Sequence, residues 1–429
     1  MSKFKTAGLL AGVAVLIAIS YLISSRQPAR PEPANRPDAN TAIVFWQGRV
    51  AQNPDAFLDY TMLAEAYARK ARETGDVSYY QRAESALRHA LEINPSYVQA
   101  SAALSNILFS MHDFEGALAL AGPLAGNPRA PQALATLADA QLALGNYAEA
   151  EAAYQKLSSL SPGPGLYSRQ AIWADLHGGS DEALSLMQKA ADLAWQAGDY
   201  RESLAWYDFQ LGELNFKSGN LKEAETHYKA ANQTFANNYL ALAGLGKVRA
   251  AQGQYDEAIK LYEQAVAIIP QPDLLAALGD LYTITGQPDK ARLQYDTVEF
   301  IGQLAEINKV VYNRQLALFY ANHDLNVAKA LELAQNEIAI RKDIYGYDAL
   351  AWALYKNGRH AEAADAMSQA IKLGTGDAML YYHAGMIYEA LGEHDQAQAM
   401  LKKALALNPH FDVLQTRIAQ ATLDQLRTR

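Results

Sequence analysis

An alanine returns every 33 or 34 residues through almost the whole chain, at Ala83, Ala117, Ala150 and Ala183, then Ala224, Ala258 and Ala291, then Ala330, Ala363 and Ala397. A period of that length marks a solenoid, in which one small supersecondary unit stacks on the next and no unit buries its apolar face alone. The same phrase surrounds each landmark. Gly145-Asn146-Tyr147 precedes Ala150 and Tyr154, and Gly253-Gln254-Tyr255 precedes Ala258 and Tyr262. Pro95, Pro162, Pro270 and Pro409 close units about a dozen residues after their alanines. Such a unit is two amphipathic helices and a tight turn. Glycine permits the turn, the alanine lets the helices approach, the aromatics fill the remaining gap, and proline stops the second helix.

The phrase resembles the tetratricopeptide repeat, whose period and pattern of small, aromatic and proline positions it shares. The resemblance implies an all-α, right-handed superhelical solenoid of about ten helix-turn-helix repeats over residues 43–410. A capping helix is expected over 411–429, with Phe411, Leu414 and Ile418 on one face to shield the last apolar surface. The steps from Ala183 to Ala224 and from Ala291 to Ala330 are long, and lengthened helices absorb them. The first hairpin is longer than standard around Thr74 to Ser78, and Phe300 to Val310 continues a helix. Ser161-Pro162-Gly163-Pro164-Gly165 is the strongest helix-breaking stretch and predicts a hinge or a change of superhelical path.

Before the repeats, Ala7 to Ile23 is uncharged and mostly apolar, with Lys3 and Lys5 ahead of it and Arg26 behind. At about 1.5 Å per residue it nearly spans a hydrocarbon layer of about 30 Å. It reads as a membrane anchor or a signal peptide over residues 1–25. The poor cleavage site at Ile23-Ser24-Ser25 favours one uncleaved N-terminal transmembrane helix. Gly8 and Gly12 form a small-residue pair of the sort that brings membrane helices together, but small residues are so common in membrane helices that coincidence is the better explanation. The short basic leader places the N-terminus in the cytoplasm and the repeats outside the cytoplasmic (inner) membrane. Residues 26–42, with Pro28, Pro31, Pro33 and Pro37, form an extended spacer.

Composition narrows the chemistry. The chain has 429 residues, a formal net charge of -9 and no cysteine. The charge and the lack of a basic run argue against a nucleic-acid partner. Without cysteine there is no disulfide, thiolate metal site or thiol nucleophile. The histidines lack metal-ligand spacing, and no phosphate loop, nucleophile elbow or dinucleotide fingerprint occurs, so neither cofactor nor metal nor catalytic residue is expected. The acidic pairs Asp181-Glu182 and Asp256-Glu257 fall at helix starts, where the helix dipole favours them.

The resemblance puts the first helix of each pair on the concave surface. Aligned repeats then place Tyr312, Phe319, Tyr345, Trp352, Tyr355, Tyr382 and Met386 in the C-terminal groove, against smaller or polar counterparts such as Gln132, Ala135, Asp139, Ala243 and Lys247. An aromatic concave patch suits a docked peptide; packing against neighbouring repeats is the competing explanation. Tyr147, Tyr154, Tyr228, Tyr255, Tyr262, Tyr282, Tyr295 and Tyr320 occupy the repeating core positions. Asn106 and Lys247 stand alone in different units, so no clamp for an acidic peptide terminus is expected.

The sequence therefore reads as a non-enzymatic scaffold, anchored in the membrane, that binds proteins or peptides and helps assemble an envelope complex. An envelope solute- or glycan-binding component using the same aromatics is the alternative. Partner, pathway and oligomeric state stay open.

Overall fold

The computed structural model describes residues 36–308 and 313–428. The expected anchor, the Gly8 and Gly12 pair, most of the proline-rich spacer and Tyr312 lie outside the described residues. Among the described residues no helix is long and apolar enough to cross a membrane, and there are 22 α-helices, the equivalent of about eleven repeats.

Helix α1 (Ala39–Gln52) stands alone, and ten pairs follow it. They are α2 and α3 (Phe57–Thr74, Ser78–Ile93), α4 and α5 (Val98–Ser110, Phe114–Ala121), α6 and α7 (Pro131–Ala143, Tyr147–Leu160), α8 and α9 (Pro164–Leu176, Ser180–Ala197), and α10 and α11 (Arg201–Lys217, Leu221–Thr234). The second half holds α12 and α13 (Tyr239–Ala251, Tyr255–Ile268), α14 and α15 (Pro272–Ile284, Pro288–Asn308), α16 and α17 (Asn313–Asn322, Val327–Ile340), α18 and α19 (Ile344–Lys356, His360–Ala370), and α20 and α21 (Ala378–Ala390, His394–Leu407). Helix α22 (Gln415–Thr428) ends the stack.

The local rules explain each hairpin. In α7 the residues Ala150, Ala153, Tyr154 and Leu157 are buried, the i, i+3, i+4, i+7 stripe of an amphipathic helix. The turn before it is a Schellman motif: Gly145 has φ 76°, the Asn146 N–H donates to the Gln141 carbonyl at 2.9 Å, and the Gly145 N–H donates to Leu142 at 3.0 Å. Ala150 has no exposed surface, nor has any other alanine of the periodic series except Ala291 at 4 %. A larger side chain there would push paired helices apart. The long steps are absorbed as expected, since α9 has 18 residues, α10 has 17 and α15 has 21. At the predicted hinge, Gly163 separates α7 from α8, and the bond across the gap is polar: Arg169 Nε of α8 lies 2.9 Å from both carboxylate oxygens of Asp139 on α6.

The capping helix needs correcting in its register. Ile418 is 44 % exposed, and the covered face is Gln415, Ala419, Leu423 and Leu426. Phe411 and Leu414 precede the helix, in a turn held by Asp412, which accepts from the Leu414 and Gln415 N–H groups.

The coil also closes on itself. The turn within a repeat in the first half meets the loop that follows a repeat five further on. The Lys342 N–H donates to the Ala143 carbonyl at 2.9 Å, Thr375 Oγ1 approaches the Asp175 carbonyl at 3.5 Å, and Asn408 Nδ2 donates to the Phe216 carbonyl at 2.9 Å. At the same seam Gly75 faces Ile269 and Gln271, and Arg417 of α22 donates to Tyr255 Oη at 2.8 Å. One superhelical turn thus takes between five and six repeats. Its successor rests on it edge to edge.

Candidate functional site

Closure turns the concave side into a cavity of about 550 Å³ that stays partly open to solvent. One wall is α8, α10 and α12 of the first superhelical turn, contributing Ile172, Asp175, Phe209, Glu213, Lys217 and Lys247. The other is α16, α18 and α20 of the second, contributing Arg314, Leu318, Tyr345, Asp348, Asp377 and Met379. All six are first helices of their pairs, as the resemblance implied.

Lys217 joins the two walls. Its Nζ lies 2.8 Å from Asp175 on its own turn, 3.5 Å from Asp377 on the other, and 3.3 Å from Tyr345 Oη. Burial disfavours the ammonium, but Asp377, Tyr345 and Asp175 outweigh it and hold its pKa above the ordinary lysine value. Tyr345 moves upward too, from burial and then the Asp377 charge, and stays a neutral phenol. Further along, Lys247 Nζ is 2.8 Å from both oxygens of Glu213, which also accepts from the buried Tyr228 hydroxyl. Burial and Glu213 raise the Tyr228 pKa. Arg314 pairs with Asp343 at 3.8 Å, and Asp348 with the ring of His383 at 2.8 Å.

These charges are paired, with carboxylates in excess of cations because Lys217 serves both Asp175 and Asp377, and beside them lie the apolar surfaces of Ile172, Phe209, Leu318, Met379 and Phe411. The arrangement suits a polypeptide segment that offers apolar side chains and backbone polar groups. A smaller chamber of about 370 Å³ shares Ile172 and Tyr345 with it and reaches the Asp139–Arg169 bridge beside the break between α7 and α8. Among the described residues no group of three or more histidine, aspartate or glutamate side chains is placed to hold a metal ion.

Of the aromatic positions proposed from sequence, Tyr345 lines both chambers. Phe319, Trp352 and Tyr382 do not face the groove; they are 3 %, 1 % and 1 % exposed. Their rings form a spine between adjacent repeats. Trp352 stacks on Tyr355 with centroids 4.8 Å apart and on His383 at 4.1 Å, its Nε1 donates to Asn322 at 2.7 Å, and Tyr382 packs on Phe411 at 5.5 Å. Tyr355 and Met386 are half-buried against this spine. Burying large rings between stacked helices gains more than displaying them to water, which explains the displacement. Lys247 and Asp139 from the early repeats do reach the chambers, whereas Ala135 and Ala243 are core. Sequence reasoning missed Lys217, Asp175 and Asp377. Their meeting depends on the closure of the coil, and residues this far apart carry no local signal of it.

Models of the tetratricopeptide repeat match residues 108–168, 215–281 and 250–308, and further repeat models match 346–369 and 379–411. The human protein O-mannosyl-transferase TMTC1 is 27 % identical over 227 residues, 51 % of this chain and 25 % of that protein. Cellulose synthase operon protein C of Pseudomonas fluorescens is 26 % identical over 390 residues, 82 % of this chain and 28 % of that one. The TPR repeat-containing protein YpiA of Bacillus subtilis is 22 % identical over 251 residues, 58 % and 49 %. The chain thus spans between a quarter and a half of the length of these relatives. Among solved structures, the type IV pilus biogenesis factor PilW aligns with a TM-score of 0.41 at 16 % identity, covering 48 % of this chain and 93 % of that one. Yeast Tom70 aligns at 0.36 and 15 %, covering 91 % and 93 %. With ten helix pairs in register and repeat models matching in both halves, the chain is a tetratricopeptide-repeat protein.

Proposed function

We propose that this protein is a non-enzymatic scaffold that holds a segment of a partner protein in its central cavity, and that it does so on the extracytoplasmic side of a cytoplasmic membrane, tethered by residues 7–23. The cavity carries the reading: two walls from different superhelical turns converge on Lys217, with apolar surface between paired charges. Its volume lies in the usual range for a specific binding site. Assembly of an envelope complex is the role that a tethered scaffold of this kind would serve. The glycan reading needs open ring faces, and Trp352 and Tyr382, each 1 % exposed, offer none.

The chain has no cysteine, so a single photoreactive label can be placed at will. Ile172 is 39 % exposed and lines both chambers. A label at Ile172→Cys should crosslink a polypeptide from membranes that a label at Lys402→Cys, on the outer surface, does not. Equal yields from both sites would place the partner elsewhere. The tether is tested separately: the full chain should sediment with membranes and lose its repeats to protease added to spheroplasts, and protected repeats would reverse the orientation.

A further inference from the structure

The smaller chamber is built unlike the main one. Its walls are mostly apolar, with Phe109, Leu142, Leu176 and Trp206 from the first superhelical turn and Ile344 from the second. At roughly 30 Å³ per water, its 370 Å³ holds about a dozen water-sized groups, the size of a small organic molecule. Most of its polar groups are satisfied by their own neighbours. Asp139 accepts from Tyr154 Oη at 3.0 Å and from Arg169 Nε at 2.9 Å, Ser168 Oγ donates to the Gly165 carbonyl at 3.3 Å, and Asp343 accepts from the Gly346 N–H at 2.7 Å.

Arg341 is different. Its guanidinium lines the chamber with its side chain only 15 % exposed, and its ion-pair partner Glu337 stands 3.8 Å away, beyond hydrogen-bond reach. Burial penalises both members of this long pair. With the repulsion of Arg314 it brings the Arg341 pKa below the ordinary arginine value, against the pull of Asp343 and Glu337, and it pushes the Glu337 carboxyl up. The field of the two guanidiniums reaches His112, whose pKa burial and then Arg341 and Arg314 push down to about 4. The Tyr147 hydroxyl, on the same wall, is buried and also has no acceptor. A partly desolvated cation short of hydrogen bonds, set in an apolar chamber, is a place for an anion with an apolar body.

We infer that this chamber binds a small apolar molecule carrying one carboxylate, its body against Leu142, Leu176 and Trp206 and its carboxylate on the Arg341 guanidinium. The two oxygens of a carboxylate match the guanidinium fork. A dianion such as a phosphate monoester would meet Asp139 and Asp343 on the same walls, with no further unpaired cation to offset its second charge. The site goes beyond the holding of a partner segment and does not depend on it.

The test is calorimetric titration of the full chain in lipid nanodiscs. Phenylpropionate should bind saturably, and about tenfold or more tighter than its neutral amide of the same shape. Arg341→Gln should bring the acid down to the level of the amide and leave the amide as it was, whereas Arg341→Lys, which keeps the charge, should keep part of the preference. Ile172→Trp, at a position 39 % exposed, fills the chamber and should abolish binding of both. Circular dichroism and melting unchanged from the parent will show that the variants are folded, and the comparison of acid with amide needs no variant. No saturable binding, equal affinities for acid and amide, a preference that survives Arg341→Gln, or tighter binding of acetyl-glycyl-phenylalanine, whose carboxylate ends a peptide, would each overturn the proposal. The partner reading is judged separately, because its crosslink from Ile172→Cys reports a polypeptide from membranes and these titrations contain none.

Discussion

His112 stands at a hairpin position where most repeats have glycine, with φ 66°, a conformation that costs a side chain roughly 1 kcal/mol. The imidazole is also partly buried, stacked on Phe114 of its own repeat with ring centroids 5.8 Å apart. Burial, then the Arg341 and Arg314 guanidiniums, push its pKa down to about 4. Its unfolded pKa is near 6.5, so the unfolded chain binds the extra proton first as pH falls. The stability that a neutral His112 permits is present above about pH 6.5 and is lost as pH falls toward 4. His112→Asn tolerates the same turn and cannot titrate. It should be at least as stable as the parent at pH 7 and should lose on the order of 2 kcal/mol less between pH 7 and pH 4.5, measured by denaturant midpoints at each pH. Parallel losses in both proteins would remove His112 from the acid response. Nothing in a lone histidine in a turn announces this behaviour; it comes from burial first, and the two arginines that add to it lie two hundred residues away.

Between elements, the aromatic four residues after the periodic alanine has a partner that the period alone does not name. The Tyr228 ring of α11 is fully buried between two glycines, Gly212 on α10 and Gly244 on α12, where an added Cβ would lie 2.5 Å from ring carbons in each case. Gly279 receives Tyr295 and Gly385 receives Leu401 in the same way. These helix glycines are therefore sockets for the ring or branch of a neighbouring helix. Gly212→Ala raises helix propensity by about 1 kcal/mol yet should destabilise the chain by roughly 2 kcal/mol net, because the clamped ring has no room to retreat. Adding Tyr228→Leu should recover part of the loss, and the two changes together should be non-additive in a double-mutant cycle. Additive losses would show that the socket is not what the glycine is for. The periodic alanines and tyrosines were legible because each occupies the same place in its unit. The groove aromatics were not, because aligned repeats say which helix a residue is on and leave open whether its ring meets the cavity or the next repeat.

At the level of the whole molecule, the seam decides whether the groove is open or enclosed. Gly145 and Gly178 both have positive φ, and an added Cβ would lie 2.4 Å from the Lys342 carbonyl oxygen and 2.5 Å from that of Gly374. Gly253 and Gly358 have the same turn conformation with nothing within 4 Å. All four substitutions to alanine should cost roughly 1 kcal/mol each in local strain. Gly145→Ala/Gly178→Ala should also part the two superhelical turns. The radius of gyration should then rise in small-angle scattering, and the amide of Lys342, which donates across the seam to Ala143, should exchange faster. Gly253→Ala/Gly358→Ala should leave both measurements unchanged, and a like response from the two pairs would mean that the seam does not hold the coil shut. If the cavity takes a partner segment, the opened variant should also lose the Ile172→Cys crosslink.

The sequence by itself determined the unit and, to within about one repeat, its number. A 33- or 34-residue period, glycine turns and closing prolines specify helix pairs through contacts made within one repeat or with the next, and such contacts are written locally. It also carried the lengthened helices and the break at Ser161 to Gly165. What only the tertiary structure decided was the site. The small rotation between neighbouring repeats sums over five or six of them, and that sum brings Lys217 to Asp377 and the Lys342 N–H to the Ala143 carbonyl. A rotation shared among many interfaces belongs to no single residue, and the cavity it encloses becomes visible once the whole coil has closed.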